Sequence, residues 1–74
     1  NVLGEIYYKE GNIPEAAELF EKALALTSRD FGEANFSYAV LCENLSKCCE
    51  KSGDMEKAEA YRKRSADIRE RISL

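Results

Sequence analysis

The chain has 74 residues, a formal net charge of −3 at pH 7 and no histidine. A chain of this length forms one small domain that buries only about 60% of its unfolded surface, which leaves no room for a catalytic cleft with walls of its own. Because the commonest general base is absent and neither half is strongly basic, we expect no enzyme activity, no cofactor or metal site, and no nucleic-acid partner.

The first two predicted elements are short helices, over residues 2–10 and 13–27. Helical spacing places Leu3 and Tyr7 on one face of the first helix. The second helix has its own apolar and small face, made of Ala16, Phe20, Ala23 and Leu24. Gly11 is predicted to end helix one in a left-handed conformation, and Asn12 to cap helix two. Glu15, three residues after Asn12, would complete a capping box.

Two further helices are predicted over residues 33–51 and 54–72, after a connector at residues 28–32. Gly53 marks the second turn and Asp54 is expected to cap the last helix. The expected buried positions of helix three are Phe36, Ala39, Cys42, Leu45 and Cys49, with Leu41 and Cys48 beside them. Those of helix four are Met55, Ala58, Tyr61, Ser65, Ile68 and Ile72.

The second half of the chain repeats the first at an offset of 53 − 11 = 42 residues. The residues that carry a known pattern are Leu3, Gly4, Tyr7, Gly11, Ala16, Phe20 and Ala23. Their order and spacing resemble the tetratricopeptide repeat family. The resemblance implies an all-α fold of two stacked antiparallel helix–turn–helix hairpins, a fragment of an α-solenoid. Repeat one would span residues 1–31, with a truncated first helix, and repeat two residues 32–74.

The offset exceeds the ordinary period of about 34 residues in this family. In this respect the chain resembles the variant found in the light chain of kinesin, which has a longer connector and a longer first helix. Repeat two departs from the family pattern at three positions, where Ser46 replaces the glycine, Cys49 the tyrosine and Arg62 the aromatic residue. Phe20 is therefore expected to be buried, and Arg62 is not. Such a degenerate repeat could end an array, because terminal repeats need a polar outer face.

The resemblance implies that the chain is a scaffold or adaptor module that binds a peptide or partner protein in a groove. The groove candidates, carried over by position, are Val2, Glu5, Lys9, Val40, Asn44, Lys47 and Lys51. Asn44 matches an asparagine that holds a peptide backbone in kinesin-light-chain-like repeats, and Glu5 departs from the amide of chaperone-tail receptors. The lysines predict an acidic ligand. The alternative interpretation is that these residues are only surface polar groups.

A second function hypothesis is structural: a capping or self-association segment of a longer superhelix, with no ligand of its own. Val2, Leu3 and Ile6 would form an apolar N-terminal edge without a preceding repeat, so we expect a homo-oligomer at high concentration.

The three cysteines, Cys42, Cys48 and Cys49, are an odd number and favour reduced, packed thiols over a disulfide framework. We therefore expect a reducing, cytoplasmic compartment. No apolar run approaches the length of a membrane span, and no membrane association is expected.

Overall fold

The computed structural model describes residues 2–32 and 34–73, which form helices and no strand. The helices are α1 (Val2–Lys9), α2 (Ile13–Phe31), α3 (Phe36–Ser52) and α4 (Met55–Ser73). Successive helices pack against each other as two hairpins, α1–α2 and α3–α4, joined by contacts between α2 and α3. The predicted all-α fold of two stacked hairpins is therefore confirmed. No helix in this described part is long and apolar enough to cross a membrane.

The two hairpin turns have the same backbone geometry. Gly11 and Gly53 adopt φ of 85° and 86°, in the left-handed region where other residues are strained. Each glycine N–H donates to the carbonyl three residues back at 3.1 Å. The next N–H, of Asn12 or Asp54, donates to the carbonyl five residues back at 2.9 Å. Both turns are therefore Schellman motifs, which satisfy the last carbonyls of the preceding helix.

The start of the second helix in each hairpin differs. Asp54 caps α4, because its Oδ1 accepts from the backbone N–H of Lys57 at 3.2 Å. Asn12 makes no side-chain cap hydrogen bond, so the predicted capping box with Glu15 is wrong. The reason is the backbone of Asn12, whose φ of −83° and ψ of 68° depart from the extended conformation of a capping residue.

The connector is shorter and later than predicted. α2 continues past residue 27 to Phe31, because the first residue that breaks the helix is Gly32, at φ 79°. α3 begins at Phe36, where the Oδ1 of Asn35 accepts from the N–H of Tyr38 at 2.9 Å. The predicted start of this helix at Glu33 lies outside the described residues.

Two apolar clusters hold the hairpins together. The first joins the repeats and contains Ala16, Phe20, Leu41, Leu45 and Cys48. The second lies between α3 and α4 and contains Tyr38, Ala39, Cys42 and Ile68.

Three residues that were expected in the core are exposed: Phe36 (58%), Met55 (61%) and Ile72 (44%). Each lies in the first or last turn of its helix. The ring of Phe36 stacks against the guanidinium of Arg69 in α4, whose central carbon lies 4.8 Å from the centre of the ring.

Candidate peptide groove and outer face

Five of the seven predicted groove residues lie together between α1 and α3. Glu5, Lys9, Asn44 and Lys47 line a cleft of about 180 Å³, whose lining also includes Tyr8 and Phe20. A second cleft, of about 420 Å³, is lined by Val40 and again by Glu5 and Asn44. We call these two adjoining clefts the groove. Val2 and Lys51 are exposed but line neither cleft.

The two ends of the groove differ in chemistry. The smaller cleft carries two ammonium groups, of Lys9 and Lys47, against one carboxylate, of Glu5. Ala23, Phe36 and Leu41 join Val40 as apolar residues of the larger cleft, whose lining also includes the hydroxyl groups of Thr27 and Ser37. Asn44 lines both clefts and is half-buried.

Sequence reasoning did not assign several of the lining residues to the groove, and Tyr8 and Phe36 are two of them. Tyr8 was not among the groove candidates, and Phe36 was assigned to the core. The position of Phe36 directly after the capping residue Asn35 was a usable signal, because it places Phe36 in the first turn of α3.

A third cleft, of about 420 Å³, lies between α3 and α4 and shares Lys47 with the groove. We call its lining the outer face; it consists of Glu43, Ser46, Lys47, Glu50, Arg62, Ser65, Ala66 and Arg69. Two ion pairs cross it from α4 to α3. Arg62 pairs with Glu50, and Arg69 Nη2 lies 2.6 Å from Glu43 Oε1.

The 42-residue offset relates the outer face to a buried surface in repeat one. Ser46 and Arg62 correspond to Gly4 and Phe20, which are both buried. A Cβ built on Gly4 would lie 2.6 Å from Phe20 Cε1, so the ring occupies the space that a side chain would need. At the corresponding positions of repeat two, the glycine and the aromatic ring are both replaced. A small hydroxyl replaces the glycine, and a charged side chain, 53% exposed, replaces the ring.

The cysteines lie at packed positions. Burial raises the pKa of the Cys48 thiol above its ordinary value of 9.0, and the nearby Cys49 and Glu21 add to the rise. Burial likewise raises the pKa of Cys49. Since the thiolate is the reactive form, these two thiols are poor nucleophiles at neutral pH.

The sequence was also compared with known proteins. A family model described as "Tetratricopeptide repeat" matches residues 1–71. No curated protein and no solved structure matches the chain.

Proposed function

The chain belongs to the tetratricopeptide repeat family, whose members are protein–protein interaction modules, and we propose that it binds an extended peptide segment of a partner in the groove between α1 and α3. The proposal rests on the position of Asn44, which is half-buried at the junction of the two clefts. A side-chain amide both donates and accepts hydrogen bonds, so it can engage the N–H and C=O groups of an extended backbone. In the described part of the chain, no hydrogen bond engages this amide.

The charges of the groove define the ligand further. Lys9 and Lys47 outnumber Glu5 in the smaller cleft, and Lys51 lies one helical turn beyond Lys47. We therefore expect a peptide with a carboxylate at this end and an apolar side chain for the cleft beside Val40. Binding should weaken with added salt, because exposed charges are screened over about 10 Å at 0.1 M ionic strength.

The 42-residue period supports a more specific assignment within the family. Residues 53–59, Gly-Asp-Met-Glu-Lys-Ala-Glu, match the start of the second helix in kinesin-light-chain-like repeats. We propose that the chain is a module of that variant type, and that it is an adaptor in a reducing, cytoplasmic compartment and not an enzyme. The choice of compartment is supported by Cys42, Cys48 and Cys49, which are free thiols at buried or half-buried positions.

The test is peptide binding by a groove variant with a matched control. Fluorescence anisotropy on a panel of extended acidic peptides should show that the double variant Asn44→Ala, Lys47→Ala binds at least about tenfold more weakly, the equivalent of about 1.4 kcal/mol. Lys63→Ala removes the same charge from the exposed surface of α4 and should bind like wild type. Equal affinities for wild type and the double variant would exclude the groove as the binding site.

The structural alternative has support of its own. Val2, Leu3 and Ile6 are 72%, 51% and 44% exposed and form an apolar edge on α1. We propose that this edge mediates self-association. Sedimentation at roughly several hundred micromolar, above many weak dissociation constants, should then show a dimer or larger species. Leu3→Glu should abolish it, whereas Leu26→Glu, at an equally exposed leucine on α2, should not. A monomer at that concentration would exclude this role.

A further inference from the structure

A side chain of α4 contacts the apolar end of the groove from outside. The guanidinium of Arg69 lies over the ring of Phe36, with its central carbon 4.8 Å from the centre of the ring. Phe36 lines the larger cleft, whereas Arg69 lines neither cleft of the groove. The contact is a cation–π interaction, in which the positive charge is attracted to the electron-rich face of the ring.

The guanidinium is itself held in place by α3. Arg69 Nη2 lies 2.6 Å from Glu43 Oε1 and donates a hydrogen bond to Glu43 Oε2 at 3.0 Å. Both side chains are only 39% exposed, so salt and water screen this pair less than a fully exposed one. Glu43 and Phe36 are about two turns apart on α3, and the guanidinium is fixed between them.

Phe36 needs such a contact because it is the first residue of α3 and is 58% exposed. Exposed side chains exchange between rotamers on the picosecond-to-nanosecond timescale. The guanidinium favours the rotamer that brings the ring against it, which is also the rotamer that lines the larger cleft. Phe36, Val40 and Asn44 follow one another at four-residue spacing, so in this rotamer the ring continues the stripe of α3 that faces the groove.

We infer that Arg69 is a positioning residue of the groove, which holds the ring of Phe36 as a platform for the apolar side chain of the bound peptide. This role rests on the proposed function and adds to it the residue that sets the preference for an apolar side chain. The peptide engages the platform only in molecules whose ring is in place, so the apparent affinity falls with that fraction. Removing the guanidinium should therefore reduce the preference for an apolar side chain.

The measurement is the ratio of two affinities, obtained by fluorescence anisotropy. One probe is the acidic peptide of the panel that binds wild type most tightly, and the other is its analogue with alanine in place of the apolar side chain. Arg69→Met should lower the preference for the first peptide about threefold, the size of a cation–π contact at a partly exposed site. The variant also unpairs the carboxylate of Glu43, but that charge acts on both peptides and cancels in the ratio. Arg71→Met, at an exposed arginine of the same helix, should keep the wild-type ratio.

A double-mutant cycle with Phe36→Ala tests whether Arg69 acts through the ring. Phe36→Ala should lower the preference more than Arg69→Met does, because it removes the platform itself. Adding Arg69→Met to Phe36→Ala should then change the ratio no further, whereas a general structural effect of Arg69 would add to that of Phe36→Ala. Additive effects, or an unchanged ratio in Arg69→Met alone, would overturn the inference.

Two outcomes separate the role of Arg69 from the groove itself. If Asn44→Ala, Lys47→Ala weakens the peptide and Arg69→Met leaves the ratio unchanged, the groove stands and only the role of Arg69 is wrong. If wild type binds no peptide of the panel, both fail. The three-bond couplings between Hα and Hβ of Phe36, measured by NMR without peptide, should show one rotamer in wild type and averaging in Arg69→Met. Equal averaging in both would overturn the inference.

Discussion

The two hairpins share their turns but differ in the surface that each presents to the next element of the chain. Gly11 and Gly53 form the same left-handed turn. The first hairpin presents the ring of Phe20, which α3 covers. The second presents Arg62, paired with Glu50 beside an open cleft. Turn chemistry therefore defines the hairpin, while the chemistry of the packing surface is free to vary between repeats.

The largest expected difference between the hairpins is at this packing surface. Phe20→Ala should cost about 3–5 kcal/mol, as for other buried aromatic residues. Arg62→Ala breaks only an exposed ion pair and should cost about 1 kcal/mol or less. Because a domain of this size has about 4–11 kcal/mol of stability, the first variant should lose a large fraction of it. Urea denaturation followed by circular dichroism measures the stability of both variants. Similar midpoints would contradict the assignment of Phe20 and Arg62 to matching positions with different burial.

Substitutions at Gly4 and Ser46, which occupy matching positions in the two repeats, should differ less in their effect on stability. Gly4→Ala places a Cβ 2.6 Å from the buried ring of Phe20 and should cost about 1–3 kcal/mol through overpacking. Ser46→Ala loses the 2.7 Å hydrogen bond to Glu43 O but gains helix propensity, so it should change stability by less than about 1 kcal/mol. Thermal melts of the two variants would refute this explanation if Ser46→Ala were the more damaging.

Alanine substitutions of the two turn glycines should reduce stability by the same amount. Alanine at Gly11 or Gly53 meets no atom within 4 Å, so its cost is that of the left-handed backbone alone. We expect about 1–2 kcal/mol for each variant. A clear inequality between Gly11→Ala and Gly53→Ala in chemical denaturation would show that the hairpins differ in more than their packing surfaces.

The smallest expected effect is a loss of folding stability at alkaline pH, which does not occur at neutral pH. Burial raises the pKa of Cys48 above 9.0 and that of Tyr61 above 10.0 in the folded chain. Above pH 9 the unfolded state therefore loses protons that the folded state keeps, and stability falls as the pH rises through this range. Cys48→Ala, at the junction between the repeats, should flatten the decline between pH 9 and the raised pKa. The measurement is the urea midpoint between pH 7 and 11, and identical slopes for variant and wild type would contradict it.

The sequence was sufficient to predict the elements whose chemistry is local. Gly11, Gly53 and Asp54 were assigned correctly because turn and cap residues act through their own backbone. The burial of Phe20 followed from its family position. Glu5, Lys9, Val40, Asn44 and Lys47 were assigned to one groove from the family resemblance, and their role in binding remains a prediction.

The features that the sequence did not predict depend on where one helix stops covering another. To predict that α2 ends at Phe31, one would have to know that no residue before Gly32 breaks the helix. Phe36 and Met55 are exposed, and each is the first residue of its helix. The outer-face cleft is lined by residues of both α3 and α4, Ser46 and Arg62 among them, and their arrangement depends on how the two helices pack.

The order of helix contacts has a kinetic consequence. α1 packs on α2, α2 on α3 and α3 on α4, so the main contacts join elements that are also neighbours along the chain. Little loop entropy is lost before such contacts form, and chains of this topology fold in microseconds to milliseconds. Either hairpin can nucleate and the other can then propagate from it, as in repeat proteins generally. The transition state should therefore shift from one hairpin to the other when mutations weaken the first.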